Sequence, residues 1–280
     1  MILYKYADAA GIHILDSLKL KVTPPNELND PFELTPRSRN LMTRQYLLDK
    51  AKHDPEHFRP AYSDWVANEN RSESFNDFLQ ALNGMPRKTY SHFLRLYRQG
   101  LVETDLKSIH EASAHLVILC LSAVNDSIPM WSHYAGHHKG IVVGLDPSDT
   151  CFTFGLPLAR FRYRTRRVSV NPIAPGTPQS LWNKTAAVLL TKSRAWQYEK
   201  EYRLCYRKPD VISTTTGTGA TISLIHIWPK VIREVILGCS ISKSFESALR
   251  QILAMPRFAH VRLLRAHRHA TEFRLDIVPA

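Results

Sequence analysis

Two stretches of this 280-residue chain bring together side chains suited to chemistry. The first is Met130-Trp131-Ser132-His133-Tyr134, leading to His138-Lys139-Gly140. The second is Trp196-Gln197-Tyr198-Glu199-Lys200-Glu201-Tyr202-Arg203. Burying a polar group without a partner costs about 1–3 kcal/mol, so such crowding inside core-like segments points to a ligand site. Glu199-x-Glu201 falls where a loop becomes a strand. Alternate strand residues share a face, which aims both carboxylates into one cleft, able to bind hydroxyls, activate a nucleophile or stabilise a developing cation. A surface strand pairing these acids with Lys200 and Arg203 gives the same pattern without chemistry. In the first stretch Tyr134 suits a platform for a planar ligand, flanked by Ser132 and His133. His133 and His137 have the spacing of two metal ligands on a helix. Gly136 interrupts that helix and no H-E-x-x-H motif is present, so no metal is expected.

Two further segments are candidates. Asn29-Asp30-Pro31-Phe32-Glu33 follows a proline turn; Asn29 and Asp30 either shape that turn or present donors and acceptors to a ribose or amide. Arg160-Phe161-Arg162-Tyr163-Arg164-Thr165-Arg166-Arg167, read as one strand over 158–166, puts Arg160, Arg162, Arg164 and Arg166 on one face, with Phe161 and Tyr163 on the other. A row of like charges is relieved by a phosphate backbone, which makes these four arginines candidate nucleic-acid contacts. An edge strand protected against aggregation is the competing account.

The elements that must position these residues alternate along the chain. Residues 2–34 read as strand, helix, strand and loop, with the second strand ended by Thr23-Pro24-Pro25. Residues 38–115 read as a helical insertion: Ser74-x-x-Asp77 opens a helix carrying Phe75, Phe78, Leu79 and Leu82, and Tyr90, Phe93, Leu94 and Tyr97 repeat the helical spacing. Strands follow at 116–121, 141–145, 201–207, 221–228, 232–237, 259–265 and 272–278, with helices at 178–191 and 243–254. The fold class is α+β, in a single domain of residues 1–280.

Composition narrows the partners. The net charge of +12 favours a polyanion such as nucleic acid. No segment is apolar for the roughly 18–20 residues that cross a bilayer, and no secretory signal opens the chain, so a cytoplasmic protein without a membrane partner is expected. Cys120, Cys151, Cys205 and Cys239 are too widely spaced for a zinc finger and fit reduced thiols. There is no G-x-G-x-x-G after a strand, no P-loop and no G-x-S-x-G elbow.

Taken in order, Leu3-Tyr4-Lys5-Tyr6, Asn29-Asp30-Pro31-Phe32-Glu33, Met130–Ala135, His138-Lys139-Gly140 and Trp196-x-Tyr198-Glu199-Lys200-Glu201-Tyr202-Arg203 resemble the bacterial family termed domain of unknown function 2971. Glu234-Val235-Ile236-Leu237-Gly238 fits it too. More distantly, the order of elements resembles the ADP-ribosyltransferase fold, above all the bacterial toxins that modify DNA. That likeness implies a split mixed β-sheet core with the helical insertion at about 38–115, and NAD as substrate. It implies Glu201 as the catalytic glutamate with Glu199 as a proton acceptor, and Tyr134 stacked on nicotinamide. The first-strand position that those enzymes fill with His or Arg falls on Tyr4, Lys5 or Tyr6. Lys5 is able to pair with a pyrophosphate; the tyrosines are able to stack or hydrogen-bond. With Asn29, Asp30, Ser132 and His133 these complete the implied NAD-binding set. The implied role is a toxin or anti-phage effector acting on nucleic acid, with a neutralising protein as a possible partner. Two alternatives fit the same residues: a nucleic-acid-binding module whose nucleotide cleft is not catalytic, and a metal-dependent nuclease using His133, His137 and Asp126 or Asp146.

Overall fold

Short runs rich in β-branched, leucine and aromatic residues form most of the strands of a mixed sheet, and helices cover its faces, giving an α+β architecture. The computed structural model describes residues 1–38, 44–69, 72–84, 107–149, 152, 157–170, 178–215, 219 and 221–280. In chain order the first strands are β1 (Leu3–Ala7), β2 (Lys19–Val22), β3 (Arg37–Ser38), β4 (Leu116–Ser122), β5 (Ile141–Leu145), β6 (Ala159–Arg160), β7 (Arg162–Arg164) and β8 (Ser169–Val170). They are followed by β9 (Thr191–Ser193), β10 (Glu201–Arg207), β11 (Ile212–Thr215), β12 (Thr221–His226), β13 (Ile232–Leu237), β14 (Arg262–Arg268) and β15 (Leu275–Pro279). The chain forms two compact units, one of residues 1–34, 111–167 and 185–280 and the other of 35–110 and 168–184.

The first unit holds an eight-stranded sheet in the order β15-β14-β13-β5-β1-β4-β10-β6. Only β13 and β14 run parallel within it. β1 shares five register pairs with β5 but a single one, Tyr4↔Ser122, with β4, so the sheet parts on that side of β1. Leu3, Val143 and Val235 face one layer, packed with Ile14 and Leu15 of the helix Ile12–Ser17 and Leu249 of the helix Lys243–Leu253. Tyr6, Val142 and Ile236 face the other, under Met130 and Trp131 of the helix Ile128–Tyr134. The alternation of strand side chains thus separates two apolar layers. A three-stranded sheet, β11-β12-β2, and the parallel pair β7-β9 complete this unit.

The second unit contains the helices Arg44–His53, Arg59–Glu69 and Phe75–Gly84, with Leu47, Phe58, Phe78 and Leu82 at its core, and the parallel pair β3-β8. The helix expected after Ser74 is present. The Asp77 N–H donates to Ser74 Oγ (3.2 Å) and the Ser74 N–H to Asp77 Oδ2 (3.1 Å), a reciprocal cap of the kind the sequence suggests. The expected helical repeat Tyr90–Tyr97 lies outside the described residues.

Two expectations are corrected. The strand over 158–166 is broken at Phe161: β6 pairs with β10 and β7 with β9 in a different sheet. The last two strands begin about three residues late. A 3₁₀ turn at Pro256–Phe258 delays β14, and the loop before β15 is pinned by His269 Nδ1, which accepts from the Thr271 and Glu272 N–H groups. Cys120, Cys205 and Cys239 are free thiols. Among the described residues no helix is long and apolar enough to cross a membrane.

Candidate functional site

The adjacency β1-β4-β10 puts Tyr4, Ser122 and Glu201 in one cross-strand row. Arg203, two residues along β10, shares the face of Glu201. Glu199 reaches the same place by a different route from the one its spacing suggests. It ends a 3₁₀ turn, Arg194–Glu199, whose first turn is capped by Ser193 Oγ accepting from the Ala195 N–H. Lys200 then takes a left-handed conformation (φ 42°), and β10 begins. The Ser122 hydroxyl donates to the Glu199 carbonyl (2.6 Å), tying this kink to β4. The two carboxylates converge because of a reversed residue, not because of strand alternation.

Lys192, on β9, is the hub. Its Nζ lies 2.8 Å from Glu199 Oε2, 3.6 Å from Glu201 Oε2 and 3.6 Å from Glu33 Oε1, with the Trp196 ring centroid 4.5 Å away. Arg203 is the second cation. Its Nε donates to Glu201 Oε1 (2.8 Å), Nη2 to Glu33 Oε1 (2.8 Å) and Nη1 to the Leu189 carbonyl (2.9 Å), while Phe161 lies against the guanidinium. The Tyr134 hydroxyl donates to Glu199 Oε1 (2.6 Å) and accepts from Asn29 Nδ2 (2.5 Å). Glu201 Oε2 is buried and forms no hydrogen bond among the described residues, with Lys192 Nζ standing 3.6 Å from it. Beside this network lies a cleft of about 220 Å3, lined in part by Tyr4, Lys5, Tyr134, Glu199, Glu201 and Arg203.

Burial raises the pKa of Glu199; Lys192 and the Tyr134 hydroxyl oppose this without cancelling it, and Glu201 adds to it. Burial also works against ionised Glu201, but Arg203 and Lys192 together outweigh it and hold the carboxyl below its usual range. Lys192 is raised because Glu201 and Glu199 outweigh its desolvation. Lys5 goes the other way. Water reaches it from the cleft, yet it sits so deep that desolvation lowers its pKa, only partly offset by Cys120 and Glu201. Its Nζ makes one long hydrogen bond, to the Cys120 carbonyl (3.3 Å). Burial, then Glu199, pushes the Tyr134 phenol up, so it remains a donor.

The structure thus gathers seven of the expected residues, Tyr4, Lys5, Tyr6, Asn29, Tyr134, Glu199 and Glu201, around one cleft. Tyr6 is also a core residue; its hydroxyl donates to the Val124 carbonyl (2.9 Å) and its ring packs edge-on against Trp131. Asp30 is a turn residue: Oδ1 accepts from the Phe32 N–H (2.9 Å), and the side chain does not line the cleft. Ser132 and His133 do not line it either. Ser132 Oγ pairs with His138 Nε2 (3.1 Å), and the exposed His133 ring lies near Tyr134 and Tyr198. Arg160, Arg162, Arg164 and Arg166 are all exposed, and among the described residues none pairs with a carboxylate. Among the described residues no three His, Cys, Asp or Glu side chains are grouped so as to hold a metal ion.

Three charged residues of the network escape sequence reasoning as site members. Arg203 had a signal, its i+2 spacing from Glu201 on a strand. Glu33 closes the Asn29–Glu33 turn, whose type alone says nothing about where its last side chain points. Lys192 follows the apolar run Val188-Leu189-Leu190, a hint of burial but not of its partners. Comparison of the chain with protein-family models, with curated proteins and with solved structures returns no match.

Proposed function

We propose that the cleft binds the nicotinamide-ribose end of NAD and that the protein transfers ADP-ribose to nucleic acid, as a bacterial toxin or anti-phage effector would. The observation that carries this reading is Glu201: a buried, ionised carboxylate at the start of β10, with one oxygen outside any hydrogen bond among the described residues, beside a cleft walled by Tyr134 and Tyr4. The volume, below the roughly 300–1,000 Å3 of pockets for drug-sized ligands, suits a ring and a sugar rather than a whole dinucleotide. NAD supplies an activated glycosidic bond, which breaks with its electron pair leaving on nicotinamide. Glu201 accepts a hydrogen bond from the ribose hydroxyl and favours the positive charge developing on the sugar. Glu199, raised towards neutrality, takes the proton that the acceptor base loses as its bond to the sugar forms. Lys5 faces the phosphates, and the exposed arginines of β6 and β7 hold the acceptor's backbone.

A second reading, a nucleotide cleft that binds without transfer, is favoured by one observation: Arg203 and Lys192 already engage Glu201. One experiment separates the two. Incubation with NAD labelled in the adenylate and with single- or double-stranded oligonucleotides is expected to label the nucleic acid. Glu201→Gln, folded by its thermal transition, should lose about 100-fold or more of that activity, the scale of losing a key electrostatic contact. Binding of NAD with no label transferred leaves the second reading; neither binding nor transfer rejects both.

A further inference from the structure

The motif Glu234–Gly238 plays no part in the network above. Its glycine has a packing reason: a Cβ on Gly238 would lie 2.1 Å from the His138 carbonyl oxygen, and one on Gly140 2.1 Å from that of Ala7. The Gly238 N–H donates to the Gly140 carbonyl (3.0 Å), which welds the two motifs at backbone level. Glu234 has no such reason. Its side chain is about 3% exposed in a strand whose other inward residues are apolar, and burying a carboxylate there costs several kcal/mol before any partner is counted.

The register explains where it points. Arg262, Glu234, Gly144, Tyr4, Ser122 and Glu201 form one continuous row across β14, β13, β5, β1, β4 and β10. Residues in register share a face, so this row runs from the cleft glutamate to the far side of the sheet. Gly144 is the gap in the row. A Cβ there would lie 2.6 Å from Glu234 Cγ, 3.0 Å from Ile2 Cγ2 and 3.2 Å from Tyr4 Cε1, so the Glu234 stem and the phenol ring both occupy the space the glycine leaves. Arg262 closes the far end by pairing with Glu234. Burial, then Glu234, pushes the Tyr4 phenol up to about 12, with Arg262 and Asn125 acting against the rise.

We propose that Glu234 is a positioning residue: backed by Arg262 and given room by Gly144, it fixes the Tyr4 phenol as a wall of the cleft and so tunes the cleft's affinity for its ligand. The ligand part rests on the NAD reading; the placement of Tyr4 does not. The test therefore has two arms. In the first, NAD affinity is measured by calorimetry for the wild type, Glu234→Gln, Tyr4→Phe and the double variant. Each single change should weaken binding about tenfold and the double no further, the non-additivity of residues acting through one another. Additive losses, or an unchanged Glu234→Gln, overturn the proposal. In the second, the protein carries meta-fluorotyrosine, and the Tyr4 fluorine resonance is assigned by its loss in Tyr4→Phe. A shifted or broadened Tyr4 signal in Glu234→Gln, without ligand, supports the proposal; an unmoved one overturns it. If the wild type does not bind NAD, the NAD reading fails and the second arm alone decides the role of Glu234. Should Glu234→Gln not fold, Arg262→Gln, on the exposed side of the pair, is read in its place by the same measure.

Discussion

Lys192 faces three carboxylates at once, and its burial makes it the residue on which the site's electrostatics turn. Glu33, Glu199 and Glu201 are balanced by Lys192 and Arg203, with Lys5 as a third cation weakened by desolvation. Removing one partner of such a cluster leaves an uncompensated buried charge, a loss of about 3–5 kcal/mol. Lys192→Met should cost about that much near pH 7. The sign with pH follows from Glu201. Its folded pKa is depressed, so its contribution is present above the unfolded value and is lost as pH falls through the folded one. Without Lys192 that depression shrinks, and acid also discharges the carboxylates left unbalanced. The deficit of Lys192→Met should narrow between about pH 7 and about pH 4, read from urea unfolding midpoints. Glu199 has the opposite sign: with its folded pKa raised, it favours the folded state below the unfolded pKa and loses that contribution as pH rises. A deficit that stays constant with pH would remove Lys192 from the centre of the network.

At the level of elements, the segment carrying β6 and β7 joins the site to the surface. Its inner face holds the network: Phe161 lies under Arg203, and Tyr163 accepts from the Glu201 N–H at 2.7 Å. Its outer face presents Arg160, Arg162, Arg164 and Arg166 to solvent. The two faces should separate by mutation. Tyr163→Phe strips the buried Glu201 N–H of its acceptor and should cost about 1–3 kcal/mol of stability. Replacing the four arginines with Gln should leave stability within about 0.5 kcal/mol, while lowering the salt slope of nucleic-acid binding by about 3–4. An unchanged slope would leave the arginines as a solubilising edge. This division was legible in the sequence, since alternation needs only period two. The break at Phe161 was not, because the change of partner from β10 to β9 depends on where Leu190 stands to accept from the Arg162 N–H (2.9 Å). The same limit hid the route of Glu199. A left-handed Lys200 has no compositional mark, whereas Gly136 and Gly219 announce theirs. The long apolar strands β4, β5 and β13 were readable because both faces are buried; Lys192 was not, because its partners come from Asn29–Glu33 and the 3₁₀ turn, far apart in sequence.

At the scale of the molecule, every residue of the cleft network belongs to the first compact unit, although the segments that supply it lie at residues 4–33, 120–134, 161–163 and 189–203. Any ligand taken up by the cleft would therefore couple its binding to the stability of strands that are remote in sequence. A ligand that binds only the folded cleft adds RT ln(1 + [L]/Kd), about 2.7 kcal/mol at a hundredfold excess over Kd, which slows globally exchanging amides about 100-fold. With NAD at that excess, hydrogen exchange of the amides in β1, β4 and β10 should slow by this factor, because these three strands carry Tyr4, Ser122 and Glu201 in a single row. Glu201→Gln should abolish most of the effect while leaving the exchange pattern without NAD intact. Salt supplies an internal control. The net charge of +12 attracts any polyanion, and that long-range attraction weakens as the Debye length falls from about 10 Å at 0.1 M to about 3 Å at 1 M. Protection arising from the buried carboxylates and the cleft should persist at high salt, whereas protection from loose association with the basic surface should vanish. Protection of β1, β4 and β10 that disappears with salt would place NAD on the surface and take the cleft out of its recognition.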